Sequence, residues 1–489
     1  MLTITRRKAL QLKAVMRRAF GNRGPGPAVC ITAAAGTLNV RAGLADIAVE
    51  YSEPTTRPAE GYWLPFQFLA DCEAKKDEPV QLEATGEDRV SAQWRDRGVP
   101  QLIQYQAVEP PEVDTFPRPP EHFAENPARL LRAMVDAGEG TDPDSVRYAM
   151  GHLQLRGPHG SIGATDGRQF LVQSGFTFPW EGDLLIPRSR VFASPELAGE
   201  EPVLVGQSGD WLTFRTGPWT IWLAVNKDGR FPDLARHIPR PTDATARCAL
   251  SATDAVFLAQ SLPCLPSDDA FNYPVTLDLN GRVAIRAKAA DQTKPTEIVL
   301  SGSSWSGEPV RLNINRKYLA RALKLGFHDL LVFGAKVPVV CHDEHRHFVW
   351  ATLDPDSAIP PADDAIRIEP PQATADGPNP NPKPKRRVPI VSEPSTNSNG
   401  NGHAPANATA SANGHAAKTN GQARKATGRK AELQDAAALI EQAEKLRTAL
   451  HDLMYQASGL VKALKQHRRQ SRAVQQTLAS LRQLKGLGV

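Results

Sequence analysis

The chain has 489 residues, with 58 Lys and Arg against 53 Asp and Glu, 41% apolar residues and five cysteines. That length predicts three or four domains, and no stretch approaches the ~20 consecutive apolar residues of a membrane span. The cysteines (Cys30, Cys72, Cys248, Cys264, Cys341) are dispersed and never form a C-x-x-C pair. They argue against a disulfide framework or a structural zinc site and point to a reducing, cytoplasmic compartment. The basic start, Arg6-Arg7-Lys8, lacks the apolar run of a signal peptide.

In chain order, the first element is an amphipathic helix capped by Thr5. Two similar helices follow, one from Asn126 with Pro127 at its first position and one from Ser251 with Asp254 three residues on. These starts lie 121 and 125 residues apart. A second set begins where a strand runs into a helix, at Leu64-Pro65, Ile186-Pro187 and Ile314-Asn315, with apolar anchors at Leu69, Val191 and Leu319. A Phe-Pro pair recurs at Phe116-Pro117 and Phe231-Pro232. Between the helices lie period-two runs: 37–40, 80–84, 212–216, 220–224, 283–286 and 337–341. The expected fold class is therefore α+β, one unit of two helices plus antiparallel sheets repeated three times, at 1–118, 119–243 and 244–355.

Composition then changes. Residues 356–426 are rich in Pro, Asn, Ala, Gly and Ser and predict a disordered linker. From 427 to 489 the pattern turns helical: Leu439, Ala443, Leu446, Leu450, Leu453, Ala457, Leu460 and Leu464 form an a/d seam. A continuous helix there would run about 80 Å. Charge divides along the same line. Residues 1–355 carry 39 basic and 42 acidic side chains, whereas 424–489 carry 13 and 5, with no acid after Asp452. A basic coiled-coil-like tail of this kind is a self-association or partner-binding element, with a polyanion as a second candidate partner.

Several segments resemble a known family. Arg147-Tyr148-Ala149-Met150-Gly151, Ala164-Thr165-Asp166-Gly167-Arg168, Leu185-Ile186-Pro187-Arg188, Gly229-Arg230-Phe231-Pro232-Asp233 with Ile238-Pro239, and Asn315-x-x-Tyr318-Leu319-x-x-Ala322-Leu323 occur in order and at the family's spacing. Together they resemble the bacterial DNA polymerase III beta subunit, the sliding clamp, over residues 1–355. The resemblance implies a head-to-tail homodimer whose six domains form a ring around duplex DNA, with helices lining the hole and sheets closing edge to edge. It implies a processivity factor rather than an enzyme, with no cofactor and no metal. Its partners would be double-stranded DNA, a DNA polymerase and a clamp loader, with no membrane, in the nucleoid-associated cytoplasm.

Candidate inner helices carry the basic residues such a lining needs: Arg6, Lys13, Arg17, Arg129, Arg132, Arg188, Lys317 and Arg321, accompanied by Arg7, Lys8, Arg18, Arg190, Arg316 and Lys324. Duplex DNA carries one charge per ~1.7 Å, so a basic lining attracts it without reading sequence. Arg23 and Tyr148 fall where the resemblance places direct DNA contacts. The family's peptide cleft, between its second and third domains, matches Arg147, Met150, Thr165, Gly167, Arg168, Phe170, Pro239, Val349 and Ala351. The chain departs from the family in placing Phe170 where an aliphatic residue is usual, in its final strand Phe348–Leu353, and in Leu44-Ala45-Asp46 of the first unit.

Two other readings carry less. Cys341-His342-Asp343-Glu344-His345-Arg346-His347 is rich in metal-ligating side chains, but it lies between two strand-like runs and reads as a hairpin turn. No G-x-x-x-x-G-K-[ST] loop or G-x-S-x-G elbow is present, and Gly302–Gly307 reads as a turn. The alternative to a ring is a clamp-fold scaffold acting through its C-terminal helix.

Overall fold

A computed structural model describes residues 1–370, apart from 23, 87, 112–115, 146, 147 and 270. The tail at 427–489 and most of the predicted linker lie outside the described residues. The part of that linker from 356 to 370 is ordered, with a 3-10 turn at Pro355–Ser357 and a strand at Ile366–Ile368.

One pattern, a strand, a helical element and a three-strand meander, occurs six times. The helices are α1 (Arg6–Phe20), α2 (Gln67–Cys72), α3 (Arg129–Gly138), α4 (Ala252–Ser261) and α5 (Arg316–Lys324). Consecutive pairs of this pattern exchange first strands. Leu2–Thr5 pairs with Pro79–Ala84 of the next half, while Glu60–Leu64 returns to Val29–Ala34. Each pair thus becomes a three-layer unit, and three units follow one another.

Local chemistry accounts for several of these elements. The Thr5 side chain accepts from the Lys8 amide and starts α1; Gly21, at φ +86°, ends it by donating to the Arg17 carbonyl. Ser251 caps α4 in the same way through the Asp254 amide. Strand Thr37–Gly43 buries every second side chain, the pattern of a half-buried strand.

Two expectations are corrected. Asn126 does not cap α3. It ends a short strand, and its amide group bridges the Thr177 backbone by two bonds of 2.8 Å, while α3 starts at Arg129. The second helical element of the second unit is two 3-10 turns, Val191–Ala193 and Pro195–Leu197. Pro195 supplies no amide hydrogen and disfavours helical backbone at Ser194, so an α-helix cannot run through. The segment 302–307 also differs: its second half, Ser304–Gly307, is a strand paired with Ala246–Ala249.

The sheets cross the unit boundaries. Ile47–Pro54 pairs antiparallel with Trp219–Ala224 to make one eight-stranded sheet, and Gln169–Gln173 pairs with Arg346–Trp350 to make one of nine strands. One hydrophobic core runs from Leu2 to Leu223 through the first two units, and a second fills the third. A small separate cluster of Phe170, Leu234, Leu331, Val340 and Val349 sits at the joint between units two and three.

Candidate nucleic-acid interface and peptide cleft

The helical elements of the three units form one uninterrupted row. Helix α2 packs on α1, α1 on the 191–193 turn of the second unit, and that turn on α3. From α5, Arg321 donates to the Asp136 carbonyl at the end of α3 (2.6 Å) and Lys324 pairs with Glu139 (2.6 Å), and α5 packs on α4.

The basic residues on this row fall into three groups. The first is structural. Arg6 is buried between Glu78 (2.8 Å) and Asp96 (3.2 Å) and also donates to the Cys72 carbonyl. Burial opposes its charge, but the two carboxylates outweigh that and raise its pKa. Arg321 is buried and spans the second joint, holding the Gln169 side chain (2.7 Å) as well as Asp136. Arg316 is buried against the carbonyls of Leu262, Leu265 and Pro266. Burial lowers the pKa of both Arg316 and Arg321. These three guanidiniums hold helices to the body and are not offered to a ligand, contrary to the sequence expectation.

The second group is exposed or half-buried but paired: Arg7 with Asp77, Lys13 with Glu73, Arg18 with Glu196 and Arg132 with Asp136. The third group has no carboxylate partner among the described residues. Arg17 lies over the Phe66 ring (4.4 Å), Lys317 over the Tyr273 ring (3.8 Å), and Arg188 reaches the Thr141 hydroxyl and Gly138 carbonyl. Arg129 donates to the Ser174 and Gly175 carbonyls and shares a hollow with Asp343 and Glu344. Tyr148 lines a different hollow, with His152, Asn226 and Arg230. Arg23 lies outside the described residues.

The proposed cleft residues surround the small joint cluster. Phe170 sits opposite Val349 in the inter-unit strand pair, and both are buried against Leu234, Leu331 and Val340. The 165–169 turn beside them is closed by its own side chains. Thr165 Oγ1 donates to the Gln169 carbonyl (2.7 Å) and accepts from the Gly167 amide, while Asp166 accepts from Arg168 and Gln169. Gly167 takes φ +85°, which explains a glycine there, and Met150 lies alongside it. Arg168 reaches across to Asn272 (3.0 Å) over the Phe271 ring, and its carbonyl accepts from Ala351. Pro239 is half-buried beside this cluster, next to Ile238, whereas Arg147 lies outside the described residues.

No protein-family model and no curated protein matches the sequence. Solved structures do. A DnaN sliding clamp (DNA polymerase III subunit beta) from Pseudomonas aeruginosa bound to griselimycin superposes with a TM-score of 0.60 at 16% identity, over 72% of this chain and 99% of that one. The DNA polymerase sliding clamp from Bacillus subtilis gives 0.61 at 15%, over 72% and 98%. A putative DNA polymerase III beta subunit from Eubacterium rectale gives 0.60 at 12%, over 72% and 99%.

The fold is that of the sliding clamp.

Within this clamp fold, sequence reasoning missed the residues that tie the candidate cleft to the helix row. Gln169 holds Asp166 through its amide (2.8 Å) and Arg321 through its carbonyl oxygen, so turn, joint and helix α3 form one chain of hydrogen bonds. It also missed Leu234 and Leu331, although the Phe231-Pro232 crossover and the run 330–333 carried that signal. The His-rich segment is the hairpin turn expected, between strands Val339–His342 and Arg346–Trp350. Asp343 closes it, accepting from the His345 and Arg346 amides and the Arg346 side chain. Cys341 is fully buried, and burial pushes its thiol well above the ordinary range. Among the described residues no helix is long and apolar enough to cross a membrane.

Proposed function

We propose that this protein is a DNA sliding clamp: a non-enzymatic ring of two copies, with 1–118, 119–243 and 244–355 as its domains, that encircles duplex DNA and tethers a polymerase. The observation that carries the reading is the construction of the joints. Two inter-unit joints are made by the same antiparallel strand pairing, and the two strands of matching kind that make no such joint within the chain are Thr296–Val299 and Val99–Gln106. Partner proteins such as a polymerase and a clamp loader would dock short linear motifs at the Phe170 cluster, with Met150, Thr165, Gly167, Arg168, Pro239, Val349 and Ala351 around it. An extended peptide with one or two large apolar anchors suits an apolar slot with a polar rim. DNA would meet Arg17, Arg188 and Lys317 on the helix row, through phosphate contacts that carry no sequence preference.

Topological retention tests the ring. Full-length protein is incubated with nicked circular plasmid, washed at high salt, and the plasmid is then linearised. A ring stays through the wash and leaves on linearisation. Equal loss from circular and linear DNA at high salt would overturn the reading. Fluorescence polarisation with a clamp-motif peptide separates it from the scaffold alternative, which predicts no saturable binding.

A further inference from the structure

The two joints inside the chain obey one rule. The last strand of a unit's first half lies antiparallel to the last strand of the following unit's second half, over five residue pairs: Ile47–Pro54 with Trp219–Ala224, and Gln169–Gln173 with Arg346–Trp350. Applied to the remaining strands, the rule leaves Thr296–Val299 of the third unit to receive Val99–Gln106 of a first unit in another copy. Val99–Gln106 is a sheet edge, with Val99 58% and Leu102 59% exposed. Thr296–Val299 is not open. Ile366–Ile368 already lies along it, in the register Thr296 to Ile366, Glu297 to Arg367 and Ile298 to Ile368.

This added strand is unlike the rest of the fold. It makes the one parallel strand pair among the described residues, and it is only three residues long. Parallel pairing is slightly weaker per residue than antiparallel pairing. Its side chains bury little, since Ile366 and Ile368 remain 53% and 39% exposed. Two specific contacts position it: the Ile366 amide donates to the Pro295 carbonyl (2.9 Å), and Arg367 Nε to Glu297 Oε2 (3.0 Å). Glu297 is itself fully buried and held by Arg286 and Arg282, so it would keep partners if Arg367 left. The chain leading to the strand is anchored independently, by Leu353 to the Asn313 carbonyl and Ile359 to the Thr276 hydroxyl. Residues 360–365 can therefore swing without disturbing the third unit. An open edge invites unintended pairing, and covering it with a short segment guards against that.

We propose that Ile366–Ile368 is a displaceable cover on the closing edge of the third unit, competing there with the Val99–Gln106 strand of a second copy of this chain. The inference rests on the ring reading above and adds its control: the chain closes into a ring only when its own strand has moved aside. A longer antiparallel strand carrying exposed Val99 and Leu102 is the better occupant once a second copy is present at sufficient concentration.

The test uses the full chain and sedimentation equilibrium over a wide concentration range. The double variant Ile366→Pro with Arg367→Glu removes the amide donor and turns the Arg367–Glu297 ion pair into a like-charge repulsion. A second variant, Thr296→Cys with Ile366→Cys, staples the cover through a disulfide between directly opposed residues. Uncovering is expected to tighten the dimer at least tenfold, and the oxidised staple to hold the chain as a monomer until it is reduced. Unfolding curves matching the wild type confirm that each variant is folded. A double variant that dimerises no more tightly than wild type overturns the proposal, and so does an oxidised staple that dimerises normally. A weaker dimer on uncovering would make the strand part of the joint, which also overturns it. If no form assembles at any concentration, the ring reading itself falls and takes the competition with it. If all forms assemble equally, the ring stands and the cover alone falls.

Discussion

Replacing Arg321 by Met separates a joint residue from one proposed to contact DNA. Arg321 donates to the Gln169 side chain at 2.7 Å and to the Asp136 carbonyl at 2.6 Å, both buried, with its guanidinium 5.2 Å from the Phe348 ring centre. Hydrogen bonds to a charged group contribute about 1.5–3 kcal/mol each, so the gross loss is about 3–6 kcal/mol. Met keeps the packing length and removes a charge whose burial is itself unfavourable, which returns part of that loss. The expected net destabilisation is about 2–4 kcal/mol, read as a lower urea midpoint. The slope of log K for DNA against log salt should not change, because a buried guanidinium displaces no counterion. Lys317→Met is the opposite case: it is exposed, has no carboxylate partner among the described residues, and should lower the slope by about 0.9 with little effect on the midpoint. Gly140 supplies an internal check. A Cβ there would come within 2.5 Å of Arg321 Nη1 and 2.9 Å of Nη2. Gly140→Ala should therefore destabilise by the same route, and the Gly140→Ala, Arg321→Met double variant should fall short of the sum. A one-unit drop in salt slope for Arg321→Met at an unchanged urea midpoint would refute the assignment.

Three further outcomes follow from the same contacts. Thr5→Ala and Ser251→Ala each remove a side-chain helix cap and should cost about 1 kcal/mol in chemical unfolding. Burial works to raise the Glu297 carboxyl, but the bonds from Arg286 and Arg367 prevail and hold it below its ordinary 4.5. A depressed folded-state value means that its stabilisation is complete above pH 4.5 and is lost as pH falls through the lower folded value; the wild-type urea midpoint should drop in that window, and Glu297→Gln should flatten the drop. Phe170→Leu keeps an apolar side chain in the joint cluster while opening space beside Val349 and Leu234, at a cost of about 1 kcal/mol. It should tighten a clamp-motif peptide in fluorescence polarisation, and unchanged binding would count against that cluster as the cleft.

What could be read from the sequence was what depends on near neighbours in the chain. Thr5 and Ser251 cap helices through amides three residues on, and the 341–347 turn closes through Asp343 and Arg346. The clamp resemblance rested on motifs that make local turns, such as Thr165 to Gln169. Failures came where a distant partner decides. Asn126 looks like Ser251 locally, but Thr177 takes its side chain. Arg6 and Arg321 look like surface cations on amphipathic helices, yet their partners lie 72 and 152 residues away, in Glu78 and Gln169. Ile366–Ile368 is too short to show a period and sits between prolines in a stretch of linker composition. Only the edge it covers makes it a strand.

The pairing of charges along the helix row would also set how tightly the proposed ring holds DNA. A sliding ring needs enough attraction to stay centred on the duplex and too little to stop on it. Arg7, Lys13, Arg18, Arg132 and Lys324 each face a carboxylate within the chain. A phosphate approaching any of them must compete with that carboxylate, so its counterion-release contribution is reduced. Arg17, Arg188, Arg190 and Lys317 have no such competitor among the described residues, while Arg129, though unpaired with a carboxylate, shares its hollow with Asp343 and Glu344 and is left out of the count. With roughly 0.9 unit of slope per neutralised phosphate, four such cations give at most about 3.6 per copy and about 7 for a pair. If a duplex inside the proposed ring touches one side at a time, the expected slope for the described body lies nearer the single-copy figure. A measured slope near −10 would require the paired cations to release their carboxylates on binding, or the basic residues after Asp452 to add contacts of their own. Charge-reversal variants at Glu73 and Glu139 decide between these. Both should steepen the slope if carboxylate competition limits the contact, and neither should if the tail supplies it.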